Sequence, residues 1–271
     1  MYKRYIIALL AASSMFVQCK KASDSAPDVL TDTVIAGKVS VYDQYGILVN
    51  AAPAVQVDAW LADSVGNPLG NAISVTTDSA GGYRFENVTV GLYSLRFTAQ
   101  GYGQYVKNNI RFDGLGGVEI PLVRLSTVAA GSVIINDITL SKRSADLGGG
   151  TSAIADIDRT VTFGGSSSTP FQLKTRYFFG LDSSVMQGNC VFSYVSGAVE
   201  GTSGAQDQQL IKFGLSNLKT YFKDSTLVYV SAAVETAPSQ AYQLGASLYF
   251  PNIQFPLSNV KTIYYVRNAV K

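Results

Sequence analysis

Histidine is absent from the 271 residues of this chain. Without imidazole there can be no Ser-His-Asp triad, no Cys-His dyad and no zinc site built on histidine ligands. Cysteine is nearly as scarce, with only Cys19 and Cys190. A reactive thiol needs an imidazole or cation to polarise it, so Cys190, within the strand-like run Asn189 to Val195, reads as a small buried hydrophobe. Charge is also sparse: Asp, Glu, Lys and Arg make up 15% and balance to +2. No basic run continues beyond Lys20-Lys21, so the clustered Lys/Arg footprint of a nucleic-acid binder is missing and no such partner is expected. The glycine-rich stretches lack the following Lys-Ser/Thr of a phosphate-binding loop. No cofactor and no metal site are expected.

What is present begins with an address. Lys3 and Arg4 precede an apolar run from Tyr5 to Val17, which ends at Gln18-Cys19-Lys20-Lys21. A basic start and an apolar stretch of this length read as a secretory signal, too short for a permanent membrane span. The lone Cys19 at its end resembles the lipobox of bacterial lipoproteins, although Gln18 stands where a small residue is usual. The Cys-Lys-Lys start is similar to lipoproteins of Bacteroidota-type bacteria. That resemblance implies acylation of Cys19, a mature N-terminus there, and attachment to the outer membrane. Residues 20–33 are polar without apolar period and read as a tether.

From Val34 the chain alternates. Val39 and Val41 oppose Lys38 and Ser40; Val55, Val57, Ala59 and Leu61 oppose Gln56, Asp58 and Trp60; Tyr93, Leu95 and Phe97 oppose Ser94, Arg96 and Thr98. Short period-two runs between Gly, Asn-Pro and Asp turns predict an antiparallel β-sandwich. Ile35-Ala-Gly37-Lys-Val39, then Thr77-Asp78-Ser-Ala-Gly81-Gly-Tyr83-Arg-Phe85, then Gly91-Leu-Tyr93 and Gly101-Tyr102 follow in order. This series over residues 34–125 resembles the carboxypeptidase regulatory-like domain family, which implies a prealbumin-like sandwich acting as a structural or interaction module. Val90 departs from the pattern, where Pro often precedes the turn glycine. Folding alone accounts for the motif: Asp78 caps a turn, Gly81 permits it, and Tyr83 and Phe85 face one way.

Residues 126–271 match no family pattern but still alternate. Leu173, Thr175, Tyr177 and Phe179 form one face, Ile211, Phe213 and Leu215 another, and Val228, Val230, Ala232 and Val234 the cleanest strand. A second sandwich, immunoglobulin-like or Greek-key, is expected, so the whole chain is read as all-β with two sandwich domains.

Two kinds of candidate site remain. Asp156 and Asp158 would share a face if extended, and with Asp146 could offer oxygen ligands to calcium; a solvated sheet edge is the plainer expectation. Glu119, Glu200 and Glu235 are uncommitted carboxylates. Trp60, out of phase with Ala59 and Leu61, is expected to face outward, where it could stack on a sugar or anchor a partner. Tyr102, Tyr105, Tyr242, Tyr264 and Tyr265 are further aromatic candidates. The reading favoured by these features is a non-catalytic envelope lipoprotein presenting β-sandwiches to a protein or glycan partner. Its rivals are a glycan-binding component of nutrient capture, a carboxylate-based hydrolase in the second domain, and an assembly subunit that exchanges strands at a sheet edge.

Overall fold

Seven strands build the first sandwich: β1 (Ile35–Tyr42), β2 (Gln56–Leu61), β3 (Ile73–Thr76), β4 (Gly82–Phe85), β5 (Gly91–Thr98), β6 (Tyr105–Phe112) and β7 (Val118–Ser126). They form two sheets, β4-β1-β7 and β3-β2-β5-β6, in a computed structural model that describes residues 33–144, 151–223, 225–236, 238, 240–253 and 258–265. The signal segment, Cys19, nearly all of the tether and Asp146 lie outside the described residues. All pairings are antiparallel except β1 with β7. The alternation mostly does what its period dictates: Val39, Val41, Val55, Val57, Ala59, Tyr83, Phe85, Tyr93, Leu95 and Phe97 all enter one core, whereas Leu61, expected on the same face, ends β2 exposed.

The turn before β4 shows how the motif works locally. The Asp78 carboxylate accepts from the backbone N–H of Ala80 at 2.8 Å and of Gly82 at 2.7 Å, which closes the loop. Gly81 sits at φ +78°, and a side chain there would collide with the Val39 carbonyl. Thr77 Oγ1 accepts from the Val55 N–H at 3.0 Å and so ties the turn to the start of β2. Gly37 has a different reason: a Cβ would come within 2.7 Å of the Tyr83 hydroxyl, which lies across β1. Gly101 takes a positive φ in the loop before β6, and Tyr102 packs half-buried against the core.

The second sandwich uses β8 (Gly131–Ser144), β9 (Thr151–Phe163), β10 (Phe171–Gly180), β11 (Phe192–Val195), β12 (Val199–Gly201), β13 (Gln206–Gly214), β14 (Thr226–Glu235) and β17 (Lys261–Tyr265). One sheet runs β13-β9-β8; the other runs β11-β10-β14-β17, with β12 also on β10. Leu173, Tyr177 and Phe179 meet Ile157, Val161 and Phe213 across the gap, with Val228, Val230, Ala232 and Val234 beside them. Leu215, expected to continue the strand, instead begins a 3-10 turn (Leu215–Leu218), the one helical element among the described residues.

A small hairpin, β15 (Tyr242–Leu244) and β16 (Ser247–Tyr249), belongs to neither sandwich sheet. The segment after it delivers Phe250 and Ile253 onto the outer face of β10 and β14, where they bury Phe178 and Ala233 in a separate cluster with Val185. These two strands are therefore covered on both faces, which simple alternation does not anticipate.

Candidate functional site

The sequence-derived carboxylates do not gather. Asp156 and Asp158 stand on β9, which is the middle strand of its sheet and not an edge, so the expected solvated edge is not where they lie. Pairing with β8 and β13 on both sides follows from long-range register that local sequence does not carry. Both point away from the core, and Asp158 accepts from the Asn136 amide at 3.2 Å and the Gln208 amide at 3.1 Å. Glu200 accepts from Gln172 at 3.3 Å, and Glu119 is exposed on β7. Glu235 is buried and gripped in bidentate fashion by Arg176 at 2.7 and 2.8 Å, with the guanidinium also over the Phe250 ring. No group of three or more acidic or thiol side chains suited to a metal ion occurs among the described residues.

Trp60 occupies the outward phase of β2, as its alternation predicts, but it is only 9% exposed. The Arg96 guanidinium from β5 lies 5.8 Å from its ring centroid while also pairing with Asp58 at 2.8 Å. Burial opposes ionisation of Asp58, yet hydrogen bonds from Gln56, Ser74 and Arg96, together with the arginine charge, hold its carboxyl below the usual range. What remains of the indole lines an open cavity of about 320 Å³ beside Leu61 and Ile73. Cys190 lies in the turn before β11, half-exposed instead of sealed within a strand, because β11 begins only at Phe192. Burial still pushes its thiol upward, away from a reactive thiolate.

The aromatic candidates divide differently. Tyr264 is exposed and Tyr265 is in the second core. Tyr105 and Tyr242, by contrast, meet across the joint between the sandwiches, rings edge-to-face at 5.7 Å, and Tyr242 stacks on Tyr249 at 5.4 Å. The adjacent Asn108 amide N–H donates to the Gln243 carbonyl at 2.7 Å, and Arg124 N–H donates to Gln240 Oε1 at 2.9 Å. The exchange is reciprocal. Tyr45, from the loop after β1, packs edge-to-face on Phe171 of the second core at 4.8 Å, and its hydroxyl accepts from the Ser166 N–H at 2.9 Å. That donated hydrogen bond lowers the Tyr45 phenol below its ordinary value.

Beside the Tyr105–Tyr242 contact, between β6, the loop after β2 and the small hairpin, opens a cleft of about 390 Å³, walled by Ser64, Tyr105, Lys107, Asn109, Tyr242 and Gln243 among others. Its size falls in the range of small-molecule sites, roughly 300–1,000 Å³. Phenol, amide and hydroxyl groups line it with a single cation and no carboxylate, so it can bind polar matter but offers no acid–base pair. Sequence reading named Tyr105 and Tyr242 separately; nothing local to either predicts that they meet. It missed Arg159 altogether. This guanidinium lies fully buried on the inner face of β9, pairing with Asp207 at 2.9 Å and reaching Gln209 at 3.3 Å.

No family model matches the chain, and no curated protein sequence matches it. Among solved structures it is similar to a DUF3823 family protein from Parabacteroides merdae, with 12% identity, 86% of this chain and 98% of that chain covered, and a TM-score of 0.29. A candidate carbohydrate-binding protein from Bacteroides uniformis gives 13% identity, 85% and 98% coverage, and a TM-score of 0.26. The major pilin SpaA of Corynebacterium diphtheriae gives 15% identity, 85% and 69% coverage, and a TM-score of 0.23. Likenesses this distant carry no argument about ligand or partner.

Proposed function

We propose that this protein is a non-catalytic cell-envelope lipoprotein. Lipid on Cys19 would hold it at the outer membrane, residues 20–33 would space it, and two sandwiches would present a rigid binding surface. The first sandwich is read as a carboxypeptidase regulatory-like module on the strength of its ordered turn motifs, Thr77-Asp78 through Phe85 and Gly91 through Tyr102. The observation that carries a binding role is the polar cleft beside the Tyr105–Tyr242 contact, whose hairpin wall is held on the first sandwich by that ring pair and by the Asn108–Gln243 hydrogen bond. Supporting a non-catalytic role, Asp58, Asp207 and Glu235 each have an arginine partner, and none of the cavities described is lined by a carboxylate.

Protease accessibility on intact cells tests the anchoring, beside a Cys19→Ala variant and a lysed sample. Release of the variant into the soluble fraction is expected. A variant that stays membrane-bound would refute lipidation at Cys19, and digestion on intact cells versus only after lysis decides surface or periplasmic display.

A glycan partner is favoured over a protein one by the cleft lining, since tyrosine faces and side-chain amides suit the alternating apolar and hydroxyl surfaces of a sugar. Titration with neutral di- and trisaccharides, observed by ligand NMR, tests this. Binding abolished by Ser64→Trp, which fills the cleft from an exposed loop, is the expected result. Binding indifferent to that change would place the sugar elsewhere.

A further inference from the structure

Strand direction sorts the loops of the first sandwich into two ends. β1, β3, β5 and β7 begin, and β2, β4 and β6 finish, at one common end: the pairs Ile35↔Phe85, Ile35↔Val118, Ala59↔Ile73, Leu61↔Tyr93 and Gly91↔Phe112 align the strands within each sheet, and the short loops 86–90 and 113–117 join the sheets there. The second sandwich occupies the opposite end, where β7 finishes. The chain enters at the first end, and it is tied there: the Thr33 carbonyl accepts from Val88 N–H at 3.0 Å and the Val34 carbonyl from Val118 N–H at 2.8 Å.

This entry end carries apolar loop tips that no other described residue covers. Leu115 is 88% exposed in the glycine-rich turn between β6 and β7, Val90 is 67% exposed before β5, and Leu69 is 66% exposed between β2 and β3. Single exposed leucines are common and mean little, but these cluster. Leu69 N–H bonds the Leu61 carbonyl at 2.8 Å, Gly114 abuts the Val90 side chain, and Leu61, Ile73, Val88 and Thr89 share the wall of one open cavity of about 320 Å³. The three loops, residues 62–72, 86–90 and 113–117, contain no lysine or arginine and do contain Asp63, Glu86 and Asp113. Whatever meets this end does so through apolar contact and not through attraction to an acidic surface.

Position supplies the partner. Thirteen residues, 20–32, separate Cys19 from Thr33. A chain of that length reaches at most about 45 Å and spans about 20 Å as a coil. The sandwich itself is about 30 Å long in the strand direction, so with the tether at its coil span an acyl chain on Cys19 keeps this end, where the chain enters, nearest the bilayer.

We propose that the entry end of the first sandwich rests on the lipid surface, with Leu115, Val90 and Leu69 set among the headgroups. The anchor and the tips then act as two signals that fix orientation as well as attachment. The molecule stands upright, and its second sandwich faces away from the membrane. This inference rests on acylation of Cys19.

The test uses the full chain purified from a lipoprotein-processing host and reconstituted into phosphatidylethanolamine vesicles containing nitroxide-labelled lipid. In a Cys190→Ser background, Leu115→Cys carries an environment-sensitive fluorophore, and Leu181→Cys, exposed on the second sandwich, serves as control. Quenching by nitroxide lipid at position 115 is expected to exceed that at 181 by at least about twofold, with a blue shift only at 115. Equal quenching, or free access of aqueous iodide to position 115, overturns the orientation while leaving the anchor intact. A mass spectrum lacking acyl groups on Cys19 overturns both. A blue shift that needs no vesicles and grows with protein concentration would show a second copy covering the tips, and would also overturn the lipid assignment.

Discussion

Both sandwiches bury two sheets face to face, yet they treat charge in opposite ways. In the first, the core between the sheets is built from aliphatic and aromatic residues, and the buried Asp58 sits on the outer face under Arg96. In the second, Arg159 lies between Ile157 and Val161 on the inner face with no exposure at all. The guanidinium runs from mid-core toward Asp207 and Gln209 on the edge strand β13, while its Nε has no hydrogen-bond partner. Desolvating a cation this completely offsets much of what Asp207 and Gln209 return, so the pair is expected to add little net stability while its loss from one side is costly. Packing holds the first domain together; the second also relies on a polar contact that must be satisfied.

The largest effect is expected from removing packing. Phe97→Ala, which strips a ring lying 5.5 Å from Tyr83 and 6.0 Å from Tyr105, should destabilise the first sandwich by about 3–5 kcal/mol in urea unfolding. Next, Asp207→Ala should cost the second sandwich roughly 2–4 kcal/mol, because it strands the buried guanidinium. Arg159→Met should cost less than Asp207→Ala, or even stabilise. Were Arg159→Met the more damaging of the two, the pair would be a net source of stability and the contrast between the domains would collapse.

Tyrosine titration sharpens the same contrast. Burial raises the Tyr177 phenol from 10.0 to about 12, although the Arg159 charge partly offsets this. Burial alone raises Tyr83 in the first core. A folded-state value above the unfolded one means stability that is complete below pH 10 and lost as pH rises toward 12. Tyr177→Phe should remove that part of the alkaline slope, on the order of 2–3 kcal/mol across the window. Arg159→Met should push the Tyr177 tyrosinate transition higher still in an ultraviolet titration and leave Tyr83 where it is. A Tyr177 transition unmoved by Arg159→Met would mean that the two groups do not sense each other.

These differences also mark how far local sequence could be read. The first domain was legible because each signal acts within a few residues: Asp78 caps its own turn, and Tyr83 and Phe85 bury by period two. Val228 to Val234 announced β14 for the same reason. Arg159 stayed hidden because an arginine in a strand ordinarily faces water, and only its partners on β13, about fifty residues later, reveal otherwise. Phe178 and Ala233 fall on the polar phase of their strands and are buried only because Phe250 and Ile253 return over them. Alternation gives Trp60 its outward face, but its shelter by Arg96 depends on strand pairing that the sequence does not display. The joint was invisible for a related reason, since Tyr45 and Tyr242 lie in a loop and a short hairpin with no periodic signal.

The smallest expected effect falls on that joint. Tyr242→Ala removes the ring shared by Tyr105 and Tyr249 but leaves the Asn108–Gln243 and Arg124–Gln240 hydrogen bonds in place, so the loss should be about 2 kcal/mol, the scale of two aromatic pairs. Combining it with Tyr45→Ala takes away both sides of the exchange. Each core keeps its own buried residues, so neither sandwich should unfold. What should change is cooperativity: a single calorimetric transition in the parent should separate into two, one per sandwich, because the interface that couples them has lost both aromatic anchors. If the double variant still melts as one unit, the coupling resides in the backbone contacts around Ala130 and Gln44, and the tyrosines serve only to shape the cleft.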